Sequence, residues 1–204
     1  MKYAVVDLEM CQVPKLYRKG YRYSLETIQI GAVLMDETYN IVDSFMTYVK
    51  PEYGMIMTPI QKLTGITKKD VANAPVMKEA LRAFAEWLPE DVTLAAWSDS
   101  DLLQIQRERE CKEIAFNGIE KLDGEWIDCQ KTFSEIIQNP KQYNLVEAMN
   151  LSDIDYDEDI HDGLVDARNT ALLFRKMQTE EVFQFNKYYK MMIDADQEYE
   201  QIGA

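Results

Sequence analysis

Tyr3-Ala4-Val5-Val6-Asp7-Leu8-Glu9 opens the chain with an apolar run of β-formers that closes on two acids. The run reads as a short buried strand over residues 3–8. Residues two apart on a strand share a face, so Asp7 and Glu9 stand side by side while Leu8 points into the core. Two carboxylates that close repel each other unless a cation sits between them. A strand end entering solvent also tolerates acids, so the pair gains meaning only from what the rest of the chain supplies.

Two further strand-length runs follow, Thr27–Asp36 and Asn40–Val49, with turn chemistry at Glu37-Thr38-Tyr39-Asn40 between them. They predict a hairpin. Helical signals come next. Pro59–Leu63 predicts a short helix that stops at Thr64-Gly65, and Thr67 with Asp70 supplies capping residues for another turn. Val76, Met77, Ala80, Leu81, Phe84, Trp87 and Leu88 recur with helical period over 76–88. Val92–Trp97 returns to strand character, and Ser100 or Asp101 is expected to cap a helix running to about Glu113. Glu125–Asp128 reads as a short strand, with helices near 130–138, 144–150 and 162–178. Early strands followed by helices predict a mixed α/β sheet.

The acids gather in two more places. Trp97-Ser98-Asp99-Ser100-Asp101 follows a strand and opens a helix, where carboxylates serve as caps and also where α/β folds build sites. His161-Asp162-Gly163-Leu164-Val165-Asp166 contains the single histidine of the chain. Histidine is the side chain whose unperturbed pKa suits proton transfer near neutral pH. Asp166 falls in the first turns of a helix with an apolar face of Leu164, Val165, Ala167, Ala171, Leu172 and Phe174. Asp153, Asp155, Asp157, Glu158, Asp159 and Asp162 surround the histidine in sequence. The start of that run imitates a calcium loop, but Glu158 stands where glycine is needed and Leu164 where the bidentate glutamate belongs. A solvated acidic loop is the better reading.

Composition sets limits on partners. The chain has 204 residues, enough for one generous domain, and 47% of them are hydrophobic. Its net charge of −14 suits a protein that concentrates carboxylates and works against nucleic-acid binding unless a local basic surface exists. Lys15, Arg18, Lys19 and Arg22, interleaved with Tyr17, Tyr21 and Tyr23, supply such a surface directly after the first strand. Cations meeting phosphate and rings meeting bases suit a single strand; a solvated loop offsetting the acidity is the plainer alternative. Cys11, Cys111 and Cys129 form no disulfide framework or zinc pattern, and the opening residues are too short and acidic for a signal peptide. No apolar run approaches the ~20 residues of a membrane span. These features predict a cytoplasmic protein with free thiols and no membrane partner.

In this order, Asp-x-Glu, a later aspartate and His-x4-Asp resemble the DEDDh 3′–5′ exonucleases, the superfamily of replicative proofreading subunits, RNase T and oligoribonuclease. Gln29-Ile30-Gly31-Ala32-Val33 is similar to the family's second strand. Leu63-Thr64-Gly65-Ile66-Thr67 is similar to its segment beside the bound 3′ nucleotide. The resemblance spans residues 3–178. It implies a ribonuclease-H-like fold, a mixed five-stranded sheet flanked by helices, over an exonuclease domain 1–178, with 179–204 as a C-terminal helical or partly ordered extension. It implies two Mg²⁺ or Mn²⁺ ions held by Asp7, Glu9, Asp101 and Asp166, with Asp99 the alternative to Asp101, and His161 as general base. Many members carry Asn-x-x-Phe-Asp at the third acid. Here Trp97-x-x-x-Asp101 with Leu102 behind it looks more like the branch that trims structured and small RNAs.

The function so implied is hydrolysis of single-stranded nucleic acid to 5′-mononucleotides, RNA or short oligonucleotides being favoured over DNA. Substrate contacts are expected at Leu8, Thr64, Gly65, Ile66, Tyr17, Arg18, Lys19 and Arg22. The competing reading is a non-catalytic nucleic-acid or protein binding module on the same fold. Dimers are common among relatives, and the sequence shows no interface signature to support a homodimer.

Overall fold

A computed structural model describes residues 1–139, 141–156, 161–189 and 191. Five strands form one sheet in the order β3-β2-β1-β4-β5: β1 Lys2–Gln12, β2 Leu25–Met35, β3 Ile41–Tyr48, β4 Val92–Ala96 and β5 Ile127–Asp128. β1, β2 and β3 are antiparallel neighbours; β4 runs parallel to β1, and β5 parallel to β4. Helices α1 Thr58–Thr64, α2 Lys68–Ala72 and α3 Met77–Trp87 lie between β3 and β4. Helix α4, Ser100–Cys111, follows β4, and α5 Cys129–Ile137, α6 Leu145–Leu151 and α7 Gly163–Thr179 close the described domain. This is the mixed five-stranded sheet flanked by helices that the resemblance implies.

Side-chain parity along β1 divides the core. Ala4, Val6 and Leu8 face a cluster with Met77, Ala80, Leu81 and Phe84 of α3. Val5 faces the opposite cluster with Ala171 and Phe174 of α7 and Phe133 of α5. With both faces covered, the central strands read as unbroken apolar runs rather than alternating ones. Ten of the eleven β2 residues are buried, whereas the edge strand β3 is largely exposed. The buried set of α3, at spacings of three and four, is the amphipathic stripe expected there. In α7 the stripe differs from expectation: Leu172 faces outward and Leu173 is buried, together with Thr170 and Met177.

Several local details also depart from the sequence reading. α4 is capped by neither Ser100 nor Asp101; Asp99 occupies the cap position and makes no capping bond. The basic stretch after β1 forms a 3-10 turn over Lys15–Lys19 instead of a loop. Beyond α7, Phe183, Phe185 and Tyr189 pack against the α5–α7 core, and the Asn186 N–H donates to Leu151 O. Residues 192–204 of the expected extension, with Asp157, Glu158 and Asp159, lie outside the described residues. No described helix is long and apolar enough to cross a membrane.

Candidate active site

β4 stops pairing with β1 at the Val6–Ala96 pair, but β1 continues to Gln12 against β2 alone. Past that point the Leu8 N–H meets a carboxylate instead of a strand, donating to Asp101 Oδ1 at 3.1 Å. Asp101 lies in the first turn of α4, the helix that leaves the carboxyl end of β4, the end where α/β sheets place their sites. The backbone of the strand that carries Asp7 and Glu9 thus holds the third acid too. Asp101 is buried and Asp99 is exposed, so the fold brings Asp101 into the cluster and leaves Asp99 outside it.

The fourth acid arrives by close backbone packing. Gly31 pairs with Asp7 across the ladder, and a Cβ there would lie 2.1 Å from the Gly163 carbonyl carbon and 2.2 Å from Leu164 N. Only glycine lets α7 begin directly on the sheet. Gln29, fully buried, clamps that helix start from both sides: its Oε1 accepts from Gly163 N at 2.8 Å and its Nε2 donates to Asp162 Oδ2 at 3.0 Å. Asp162 Oδ1 accepts from Leu164 N and Val165 N, a side-chain cap that favours the helix by about 1 kcal/mol.

One turn on, Asp166 Oδ2 accepts the His161 N–H at 3.0 Å. His161 holds a left-handed backbone, φ 70°, which histidine adopts more readily than bulky residues and which turns the chain just ahead of the helix. Potential ligand atoms of Glu9, His161 and Asp166 all lie within 4.8 Å of one another.

The electrostatics of this cluster are one-sided. Burial pushes Glu9 up from its ordinary 4.5 to about 8, reinforced by Asp166, Asp162 and Asp101. Asp7 is raised well above its ordinary value by burial and then by Asp101, Asp166, Glu9 and Asp162. Burial raises Asp101 to about 7 against the lowering pull of the Leu8 N–H. Asp166 is raised by burial, with the His161 N–H opposing. Among the described residues no lysine or arginine pairs with any of the four. A convergent set of carboxylate oxygens without a protein cation fits hard divalent ions such as Mg²⁺ or Mn²⁺.

The remaining sequence candidates are placed less uniformly. Leu8 is buried and its N–H is taken by Asp101. Thr64 and Ile66 are buried as well; Gly65 caps α1 with φ 71° and leaves its backbone at the surface. Ile66 packs with Cys11 and Ile28, just past Glu9 along β1, which sets the 63–66 turn near the acids. Tyr17, Arg18 and Lys19 are exposed, and Arg22 pairs with Glu110. Asp153 and Asp155 line a separate recess with Asn150 and Tyr156. Gln29, Gly31, Asp162 and Gly163 were not read from the sequence as site residues. The one available signal was a glutamine and a glycine interrupting an otherwise apolar strand.

A mixed five-stranded sheet with four acids gathered past the end of its central parallel pair is the arrangement that the resemblance to the DEDDh exonucleases implies. The chain belongs to the RNase T exonuclease family, which matches residues 4–174. It is 33% identical over 178 residues to ERI1 exoribonuclease 2 of Danio rerio, covering 76% of this chain and 32% of that protein. It is 30% identical over 152 residues to the PolC-type DNA polymerase III of Caldanaerobacter subterraneus, covering 74% of this chain and 10% of the polymerase. The chain therefore spans a third or less of these two relatives. The nuclease domain of 3′hExo, a DEDDh family member bound to rAMP, superposes with a TM-score of 0.76 at 22% identity, covering 91% of this chain and 96% of that one.

Proposed function

We propose that this chain is a metal-dependent 3′–5′ exonuclease that hydrolyses single-stranded nucleic acid to 5′-mononucleotides, with RNA or short oligonucleotides favoured over DNA. The observation that carries the reading is the convergence of Asp7, Glu9, Asp101 and Asp166 beside His161 with no lysine or arginine paired to them among the described residues. Family membership supports the reaction class. The preference for RNA rests on the name of the exoribonuclease relative and on the rAMP complex of the 3′hExo domain.

Asp7, Glu9, Asp101 and Asp166 would hold two divalent ions, Mg²⁺ or Mn²⁺. Such ions, when bound, acidify the attacking water and stabilise charge developing on the leaving oxygen. The chain's own residues do the rest. An imidazole nitrogen of His161 takes the proton of the attacking water. Asp166 fixes the His161 backbone, and the Gln29 clamp fixes both by anchoring the start of α7. The Leu8 N–H keeps Asp101 aimed at the strand that carries the other two acids. The 63–66 turn meets the terminal nucleotide through its exposed backbone and Leu63, since Thr64 and Ile66 are turned inward. Tyr17, Arg18, Lys19 and Arg22 contribute to a groove for the strand. Three unpaired cysteines, two of them buried, support a reducing cytoplasmic setting.

The direct test is incubation with a 5′-labelled single-stranded RNA and its DNA counterpart, with Mn²⁺ or with EDTA. A metal-dependent ladder shortening from the 3′ end, faster on RNA, is expected. Binding without cleavage in the presence of metal would move the chain to the non-catalytic module.

A further inference from the structure

Helix α4 joins the acid cluster to a second feature two turns further on. A cavity of about 280 Å³ is lined by Arg18, Arg22 and Tyr23 from the segment after β1 and by Gln104 and Arg107 of α4. Three arginines from two separate elements line one recess in a chain of net charge −14. Tyr23 organises two of them: the Arg22 and Arg107 guanidinium carbons lie 5.3 and 5.5 Å from its ring centre. Cation–π contact of this kind holds a guanidinium without consuming its hydrogen-bonding fork. Glu110 neutralises Arg22 and accepts the Tyr23 hydroxyl at 3.0 Å. Arg18 donates from Nε to Val13 O at 3.2 Å, which fixes the plane of its guanidinium. Neither Arg18 nor Arg107 forms an ion pair among the described residues.

The location gives the cavity a role. Arg107 lies six residues beyond Asp101 on one helix, a rise of ~9 Å. That is the reach of about two to three nucleotides at the ~3.4 Å spacing of a stacked strand. We propose that Arg18 and Arg107 form a seat for a backbone phosphate of the substrate strand upstream of the hydrolysed linkage, so that the enzyme grips strands longer than a dinucleotide. This rests on the exonuclease reading for its orientation and on the arginine cavity for its chemistry. The arginine fork matches phosphate oxygens, and two guanidiniums without carboxylate partners gather most cheaply where the substrate brings the anion. The seat also answers how so acidic a protein retains a polyanion: the acids meet it through metal ions, and these arginines meet it directly.

Arg107→Gln, Arg18→Gln and the double variant test the seat in two assays. In the first, binding of a fluorescent single-stranded phosphorothioate oligonucleotide several nucleotides long is followed against salt in Mg²⁺. The double variant should weaken binding roughly tenfold at low salt and flatten the logarithmic salt slope by at least ~0.7, the value of one lost phosphate contact on a single strand. In the second, the ratio of kcat/KM on a long strand to that on a dinucleotide should fall by a similar factor. Equal losses on both lengths, or an unchanged salt slope, would overturn the seat. So would polyglutamate displacing the strand from the wild type as well as unlabelled oligonucleotide of equal charge, which would assign the cavity to an acidic protein segment. A wild type that cleaves nothing yet binds in an Arg18- and Arg107-dependent way sinks the exonuclease reading and keeps the seat. One that cleaves while both variants keep the full slope does the reverse.

Discussion

The molecule gathers two clusters of acids, one fully buried and one half-buried, and treats them in opposite ways. At the α4 C-terminus Glu26 and Glu108, both fully buried, share Lys112, whose Nζ lies 2.6 and 2.8 Å from them and 3.1 Å from Glu52. Glu26 also accepts the backbone N–H groups of Glu52, Tyr53 and Gly54, and Glu108 Oε1 accepts the Thr27 N–H at 2.7 Å and Gln104 Nε2 at 2.8 Å. At the other end of the same helix Asp101 joins Asp7, Glu9 and Asp166 with a few backbone donors and, among the described residues, no lysine or arginine. A buried charge is tolerated when paired and costly when left alone. The first cluster is therefore a finished piece of structure tying α4 to β2 and the 52–54 loop. The second holds like charges that no described lysine or arginine offsets, and a bound cation would complete it.

The sharpest way to break the contrast is to remove one charge from the incomplete cluster. Asp7→Asn should reduce exonuclease activity to background if, as proposed, Asp7 is a ligand of the ions. The same change should raise the melting temperature of the metal-free protein, because it relieves repulsion among carboxylates that burial and neighbours already hold high. More than about a tenth of wild-type activity, or a lowered metal-free melting temperature, would contradict the account. Next in size is His161→Ala. With His161 in the proposed base role, its loss should slow cleavage by ~10²–10⁴-fold while Mn²⁺ binding, followed by calorimetry, is largely kept. An unchanged rate at pH 7 removes His161 from the base role.

In the finished cluster the sign of the stability effect reverses. Lys112→Met strands Glu26 and Glu108 without their cation and should cost about 3–5 kcal/mol in denaturant unfolding. A loss under ~1 kcal/mol would mean that the backbone donors alone satisfy the two glutamates.

The two clusters also differ in pH response. Burial pulls Lys112 down, but Glu108 and Glu26 outweigh it and leave it raised above an ordinary lysine. A raised lysine contributes its stability throughout the acid and neutral range and loses it only in strong alkali. Glu9, raised from 4.5 to about 8, binds a proton in the folded state that the unfolded chain has released. Between those values stability of the metal-free protein falls as pH rises. Its melting temperature should drop by roughly 5–10 °C from pH 5 to pH 8, and Mg²⁺ or Mn²⁺ should restore more at pH 8 than at pH 5. A flat profile without metal would show that the acids are not crowded in solution.

How far the site was legible depended on the range of the forces that build it. Alternation on one strand was enough to place Asp7 and Glu9 on one face, and periodicity was enough for α3 and for the presence of α7, though not for which of Leu172 and Leu173 that helix buries. The order of acids with His161 supplied the family and the sheet. The Gln29 clamp was not legible, because it joins residues 134 positions apart through a helix end and a strand. Nor was the role of Gly31, since what requires a glycine is the backbone of Gly163 and Leu164 lying against it. The Lys112 cluster was hidden for the same reason: Glu26, Glu52 and Lys112 become neighbours only after the sheet has formed.

Asp99 and Asp101 bring the contrast down to a single turn of chain. The sequence allowed either as third acid. Asp101 is buried, accepts the Leu8 N–H and is raised to about 7, whereas Asp99 is exposed and caps nothing. An exposed carboxylate is solvated by water at little cost and needs no ion. Asp101→Asn should therefore resemble Asp7→Asn, with activity lost and metal-free stability kept or raised. Asp99→Asn should change kcat/KM by less than about threefold and stability by less than ~0.5 kcal/mol, as surface substitutions usually do. Assaying the two variants together with Mn²⁺ titrations decides the point. If Asp99→Asn is the inactive one, then α4 must begin differently when the ions are bound, and the Leu8–Asp101 bond belongs to the metal-free protein alone.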